Sequence, residues 1–121
     1  MVLILGGLGA GKTAYVRSLG YTDAQISENI LSDLPVLNHL EAAVRNDPSN
    51  ADALLPPLCR KAFVLCCEVG SGVIPMTKED RAYREAVGRL CIALAQEATA
   101  VVRVVCGIPT AIKGELPCIS D

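Results

Sequence analysis

Short apolar runs alternate with segments of helical periodicity along this chain. Residues 2–5, 34–37, 62–67 and 101–106 form mostly apolar runs, each bounded by glycine, proline or polar residues. Continuous apolar runs of this length are typical of strands that are buried on both faces of a parallel sheet. The pattern therefore predicts four strands, the last of which ends before Gly107-Ile108-Pro109.

The segments between these runs favour helices. We predict helices over residues 12–19, 39–45 and 50–55, with the third broken by Pro56-Pro57. Residues 21–33 show no clear period, so we expect a loop or a short helix there.

The longest predicted helix begins at Thr77, which resembles a capping box with Asp80 in place of the usual glutamate. Its apolar face consists of Tyr83, Val87, Leu90, Cys91, Leu94 and Ala98. Strands that alternate with helices predict an α/β fold with a mainly parallel sheet, here as a single domain over residues 1–121. Such sheets bind ligands at the carboxyl ends of their strands, so we expect the chemistry in the loops that follow the strands.

The first of these loops carries a phosphate-binding motif. Gly6-Gly7-Leu8-Gly9-Ala10-Gly11-Lys12-Thr13 satisfies the pattern G-x-x-x-x-G-K-[ST], between a predicted strand and a predicted helix. Glycines let backbone N–H groups turn inward around a phosphate. Lys12 would reach the β- and γ-phosphates, and the Thr13 hydroxyl would bind Mg²⁺. The sequence thus predicts a P-loop that binds GTP or ATP with Mg²⁺.

Composition and charge exclude several classes of protein. The chain has 121 residues, a formal net charge of −2 and no long basic stripe, so we do not expect a nucleic-acid partner. We also expect no membrane span and no secretory signal, hence a cytoplasmic protein. Six cysteines show no zinc-like spacing, which favours reduced packing residues over metal or redox chemistry. Because hydrophobic residues make up 51% of so small a chain, we expect other subunits to cover part of its surface.

A second glycine-rich segment, Glu68-Val69-Gly70-Ser71-Gly72-Val73-Ile74-Pro75, follows the third predicted strand. It resembles the Asn-Glu-Val-Gly-x-Gly-x-Val-Pro segment of adenosylcobinamide kinase/adenosylcobinamide-phosphate guanylyltransferases. The similarity continues in order through Arg84, Gly88-Arg89, Val104 to Pro109 and Lys113-Gly114. It covers residues 1–13 and roughly 62–114, whereas the middle of the chain shows little likeness.

The resemblance implies a RecA-like P-loop fold and a homo-oligomer, with a trimer favoured. It also implies two activities in cobalamin biosynthesis: phosphorylation of a hydroxyl of adenosylcobinamide, and transfer of GMP onto that phosphate. The family's guanylyl-accepting histidine lies in a segment between the P-loop and the next strand. Residues 20–33 contain no histidine, so we expect kinase chemistry without guanylyl transfer.

The ends of the next two predicted strands supply further candidates. Asn38 aligns where the family carries an acidic residue that contacts the nucleotide or its metal, although an amide cannot act as a base. Glu68 is then the strongest carboxylate for orienting Mg²⁺ or a hydroxyl nucleophile, and its alternative role is to cap backbone N–H groups. The sole histidine, His39, either opens a helix or faces the nucleotide. The strand-final Cys67 replaces the family's asparagine.

Three arginines, Arg81, Arg84 and Arg89, lie on the longest predicted helix. They form either a solvated basic face or, through Arg84 and Arg89, a set of contacts to phosphate.

Three functions remain open from the sequence. The first is a shortened adenosylcobinamide-kinase-like enzyme that transfers phosphoryl groups from ATP or GTP. The second is a degenerate nucleotide-binding module that senses nucleotide without turnover. The third is a small kinase for an unrelated hydroxyl substrate, because a P-loop alone does not select the acceptor.

Overall fold

The computed structural model describes residues 1–68 and 77–117, and a six-stranded sheet forms its centre. The strands are β1 Val2–Gly6, β2 Ile26–Ser27, β3 Val36–Leu37, β4 Phe63–Cys67, β5 Ala100–Val105 and β6 Ile108–Lys113. They are ordered β2-β3-β4-β1-β5-β6, and every neighbouring pair is parallel except β5 and β6. The predicted mixed α/β class with a mainly parallel sheet is confirmed.

Within residues 1–68 and 77–117, four α-helices and two 3₁₀ segments connect the strands. The helices are α1 Lys12–Ser18, α2 Leu40–Asn46, α3 Leu55–Cys59 and α4 Lys78–Glu97, and the 3₁₀ segments are Asp23–Gln25 and Pro48–Leu54. Helix α4 begins at the predicted cap, because the Asp80 N–H donates to the Thr77 hydroxyl oxygen over 2.9 Å.

Side chains of the central strands pack on both faces of the sheet. In β1, Leu3 belongs to the core cluster that includes residues of α2 and α4, whereas Ile4 belongs to the cluster that includes Val16 of α1. The side chains of Leu3 and Ile4 are both fully buried. The apolar runs of the sequence are therefore explained by helices that cover the sheet from two sides.

Pro56-Pro57 does not break a helix, contrary to the prediction. Instead, both prolines lie in the first turn of α3. The first N–H groups of a helix have no partner within it, so proline is tolerated there.

The sheet has two strands more than predicted. β6 follows a two-residue turn after β5 and pairs with it in the antiparallel direction, so the run at 101–106 is not the last strand. β2 has only two residues and lies within the segment 21–33, which was expected to be a loop or a short helix. Such short or half-exposed edge strands lack the apolar run that identifies a buried strand.

The predicted loop at Gly70, Gly72 and Pro75 lies outside the described residues, as does Cys118. Within 1–68 and 77–117, no helix has the length and apolar character that crossing a bilayer requires.

Candidate active site

The loop between β1 and α1, residues 7–11, is closed by hydrogen bonds to its own backbone. The Lys12 ammonium donates to the carbonyl oxygens of Gly6 and Gly7, over 3.0 and 2.9 Å. The Ala10 N–H also donates to the Gly7 carbonyl, over 3.1 Å. Carbonyl dipoles hold the ammonium in place without neutralising its charge, so the loop presents a positioned cation.

The turn between β5 and β6 packs against this loop, backbone to backbone. The Gly107 N–H donates to the Ala10 carbonyl over 2.8 Å. Gly11 has a φ of 100°, and a Cβ there would lie 3.1 Å from the Gly107 Cα. A Cβ on Gly6 would lie 2.7 Å from the Val104 carbonyl oxygen. Close backbone approach therefore requires glycine at both positions, and Gly11 is required by its left-handed conformation as well.

A cavity of about 240 Å³ opens beside the loop. Its walls are formed by Leu8, Gly9, Ala10, Gly11, Lys12, Thr13, Ala14, Asn38 and His39. The structure thus brings the predicted phosphate loop together with the predicted residue at the end of β3.

A larger cavity, about 590 Å³, lies elsewhere on the molecule. Its lining includes Met1, Pro35 and Ala62, which directly precede β1, β3 and β4 at the amino ends of these strands. The buried Lys61 beside it donates to the carbonyl oxygens of Ser32 and Leu34. Since parallel sheets bind ligands at their carboxyl edge, we take the smaller cavity as the candidate site.

His39 follows Asn38 at the start of α2 and has left-handed backbone geometry, with φ of 56°. Its N–H donates to the Asn38 side-chain oxygen over 2.9 Å. Its Nε2 lies 3.3 Å from Glu28 Oε1, and its Nδ1 lies 3.4 Å from Glu41 Oε2. The imidazole therefore lines the cavity while both of its nitrogens face carboxylate oxygens.

Glu41 is a site residue that the sequence analysis missed. It lies in the first turn of α2, its side chain is only 15% exposed, and its Oε1 accepts the Cys67 N–H over 2.7 Å. One carboxylate thus joins the end of β4 to His39. A glutamate in the first turn of a helix that follows a strand was the only available signal, and many surface glutamates share that position.

Glu68 directly follows β4, and Arg103 of β5 binds its side chain. The Arg103 Nε and Nη2 donate to the two carboxylate oxygens over 2.8 and 3.2 Å. The Glu68 N–H donates to the Gly6 carbonyl, which ties it to the phosphate loop. Arg103 was not predicted as a site residue, because it interrupts an apolar run and its strand neighbours give no hint of a carboxylate partner.

The three arginines of α4 have different surroundings. Arg84 Nε lies 3.2 Å from Asp80 Oδ2, one turn earlier on the helix. Arg81 and Arg89 are exposed. Among the described residues, Arg45 is the arginine that stacks on an aromatic ring, 3.9 Å above the centre of Tyr83.

The fold and site define an α/β protein in which a glycine-rich loop joins a central strand to a helix at the carboxyl edge of the sheet. The chain belongs to the cobinamide kinase/cobinamide phosphate guanyltransferase family, whose model matches residues 24–112. The match extends through the middle of the chain, where the motifs showed little likeness, and it begins after the phosphate loop. No match was found among curated proteins.

Proposed function

We propose that this chain binds Mg·GTP or Mg·ATP at Gly6–Thr13 and transfers the γ-phosphoryl group to a hydroxyl of adenosylcobinamide. Family membership supports the class of acceptor. The nucleotide site is supported chiefly by Lys12, whose ammonium is fixed on the loop carbonyls beside a cavity that the whole motif lines. The strand order, with β1 in the interior of the sheet, suits the proposed RecA-like P-loop fold.

The chemistry asks little of the protein beyond positioning and charge. Phosphoryl transfer proceeds when the acceptor is in line and the charge on the γ-phosphate is neutralised. Lys12 and the N–H groups of the loop supply fixed positive charge and dipoles at the cavity wall. The N–H groups are positioned by the backbone, and the Lys12 ammonium is held by the carbonyl oxygens of Gly6 and Gly7.

Mg²⁺ would bind in this cavity together with the nucleotide, mainly through phosphate oxygens and waters. Magnesium in such sites keeps several waters and phosphate oxygens and needs few protein ligands. Thr13 lines the cavity and is the proposed ligand, through its hydroxyl. The described residues hold no cluster of three histidine, cysteine or acidic side chains for a metal, so the protein itself would contribute little to the coordination.

Glu68 is the proposed carboxylate for orienting the acceptor hydroxyl or a metal-bound water. Its bidentate pairing with Arg103 would fix the carboxylate at the end of β4, close to the loop that its N–H already contacts. Arg103 is then the residue that positions Glu68.

The alternative is a nucleotide-binding module without turnover. One observation supports it: the Glu68 carboxylate is already engaged by Arg103, and the amide of Asn38 cannot replace it as a base. A kinase that uses another hydroxyl acceptor would share the whole site and would differ only in the acceptor.

Labelled GTP separates these functions. With γ-labelled GTP, Mg²⁺ and adenosylcobinamide, we expect label in the corrinoid. With α-labelled GTP we expect no acid-labile label on the protein, because a guanylylated histidine needs a free imidazole nitrogen near the α-phosphate. Both nitrogens of His39 face carboxylates instead.

His39→Ala provides the control for the α-label. Protein-bound label that appears in the parent and disappears in this variant would contradict our assignment and restore the guanylyltransferase activity. Nucleotide binding with neither kind of label transfer would favour the module without turnover.

A homo-oligomer, with a trimer favoured, is proposed as the assembly. Val105, Ile108 and Ile112 are 51%, 67% and 60% exposed on β5 and the edge strand β6. Val105 and Ile108 are register partners, so their side chains share one face of the sheet. Ile112 lies at the register shift between β5 and β6, and it is exposed like Ile108. An uncovered apolar strip of this kind is a candidate interface between copies.

We expect Ile112→Asp to shift the mass measured by light scattering from the oligomer to the monomer, because a buried unpaired carboxylate is costly. Leu31→Asp is the matched control, since Leu31 is 86% exposed between β2 and β3, at the other edge of the sheet. A monomeric parent across a wide range of concentrations would rule the assembly out.

A further inference from the structure

Two cysteines from different elements are in contact where α4 packs against β4. Cys66 lies on β4 and Cys91 lies on α4, and their sulfur atoms are 3.8 Å apart. Cys66 is fully buried, whereas Cys91 is only partly buried. The sequence separates them by 25 residues and shows no motif that links them. This contact is therefore a product of the fold.

The environment makes the two thiols unequal. The hydrogen-bonding contact with Cys66 lowers the pKa of Cys91, while burial and the Glu41 carboxylate act in the opposite direction. The same hydrogen bond, together with burial and the nearby Glu41 carboxylate, raises the pKa of Cys66. The more accessible sulfur is thus the better nucleophile, and the buried one holds its proton.

The other described cysteines do not share this arrangement. Cys67 neighbours Cys66 on the same strand, so its side chain points to the opposite face of the sheet. Cys59 and Cys106 lie at the end of α3 and in the turn after β5. Among the described cysteines, Cys66 and Cys91 are the two whose sulfur atoms are in hydrogen-bonding contact.

We propose that Cys66 and Cys91 form an oxidation site at which hydroperoxides produce an intramolecular disulfide. The Cys91 thiolate attacks one peroxide oxygen, the O–O bond breaks, and the products are a sulfenic acid on Cys91 and, after protonation, one water or alcohol. The Cys66 sulfur then attacks the Cys91 sulfur, the S–O bond breaks, and water leaves with the Cys66 proton. In sum, two thiols are oxidised and one peroxide is reduced.

The sulfur atoms must close from 3.8 Å to the roughly 2.05 Å of a disulfide. The bond would tether the middle of α4 to β4, one residue before Cys67 and two before Glu68. The inference rests on the contact between the two sulfurs and on their unequal environments, and it does not depend on the proposed kinase function.

Limited treatment of the reduced full chain with hydrogen peroxide tests the proposal. We expect two of the six thiols to be lost together. The intact mass should fall by about 2 Da, as two protons and two electrons leave. A linked peptide pair should contain residues 66 and 91, and dithiothreitol should restore both thiols.

Cys66→Ala keeps the buried position small and apolar and removes the resolving thiol. In this variant Cys91 loses the contact that lowers its pKa, so it should oxidise more slowly. The sulfenic acid that forms should persist and react with dimedone, which the parent should not do. Cys59→Ala is the matched control and should form the disulfide like the parent. The proposal is overturned if the parent gains oxygen at single cysteines without losing a thiol pair, or if the linked peptides join other cysteines. The peptide map of the parent decides this even if a variant fails to fold.

Discussion

Lys12→Ala is expected to weaken the binding of Mg·GTP or Mg·ATP by about 10- to 100-fold. A hydrogen bond from a cation to a charged partner contributes roughly 1.5–3 kcal/mol, and each 1.4 kcal/mol corresponds to a factor of ten. In the structure, Lys12 is fixed on the carbonyls of Gly6 and Gly7, so little side-chain entropy is lost when phosphate binds. Titration calorimetry with each nucleotide measures the effect directly.

Lys113→Ala is the matched control for this experiment. Its ammonium also donates to two backbone carbonyls, those of Ala95 and Gln96, at 2.9 and 3.1 Å. The two variants therefore lose the same kinds of contact, but Lys113 lies on β6 and outside the cavity wall. Equal affinities in the parent and in Lys12→Ala would contradict the nucleotide site, and an equal loss in both variants would show an effect of stability.

The buried part of the fold was predictable, and its edges were not. β1 and β4 are predicted by their apolar runs, and α4 is predicted by apolar residues at helical spacing. These patterns are present because the corresponding faces are buried. β6 alternates between exposed and half-buried residues, so its antiparallel pairing with β5 left no apolar run to detect. The prolines of α3 were misjudged because proline breaks a helix only in its interior. The sequence did not show that a new helix begins at these prolines.

In the candidate site, too, features that lie within one short segment were predictable, and contacts between distant segments were not. The phosphate loop was predictable because all of its chemistry lies in eight consecutive residues. The contacts of Glu41 with His39 and the Cys67 N–H, and of Arg103 with Glu68, join different elements. Such contacts depend on which strands are neighbours, and motif spacing along the chain does not encode that order.

The contact between the phosphate loop and the β5–β6 turn shows why the distant relations matter. Gly11 and Gly107 are 96 positions apart, yet a Cβ on the first would nearly touch the second. The motif explains the first glycine by its conformation alone. The fold adds a second constraint, since the loop is packed backbone to backbone against a turn that the sequence analysis had placed beyond the last strand.

Gly11→Ala is therefore expected to lower the free energy of unfolding by about 2–4 kcal/mol. An alanine at a φ of 100° is strained, and its Cβ would lie 3.1 Å from the Gly107 Cα, where only a shift of the backbone gives room. Gly7→Ala is the matched control, because a Cβ on Gly7 meets no atom within 4 Å and its φ is not in the left-handed range. Urea unfolding of the parent and both variants measures the difference. Equal unfolding free energies in the two variants would show that the loop can move away from the turn without cost, and would contradict the packing described here.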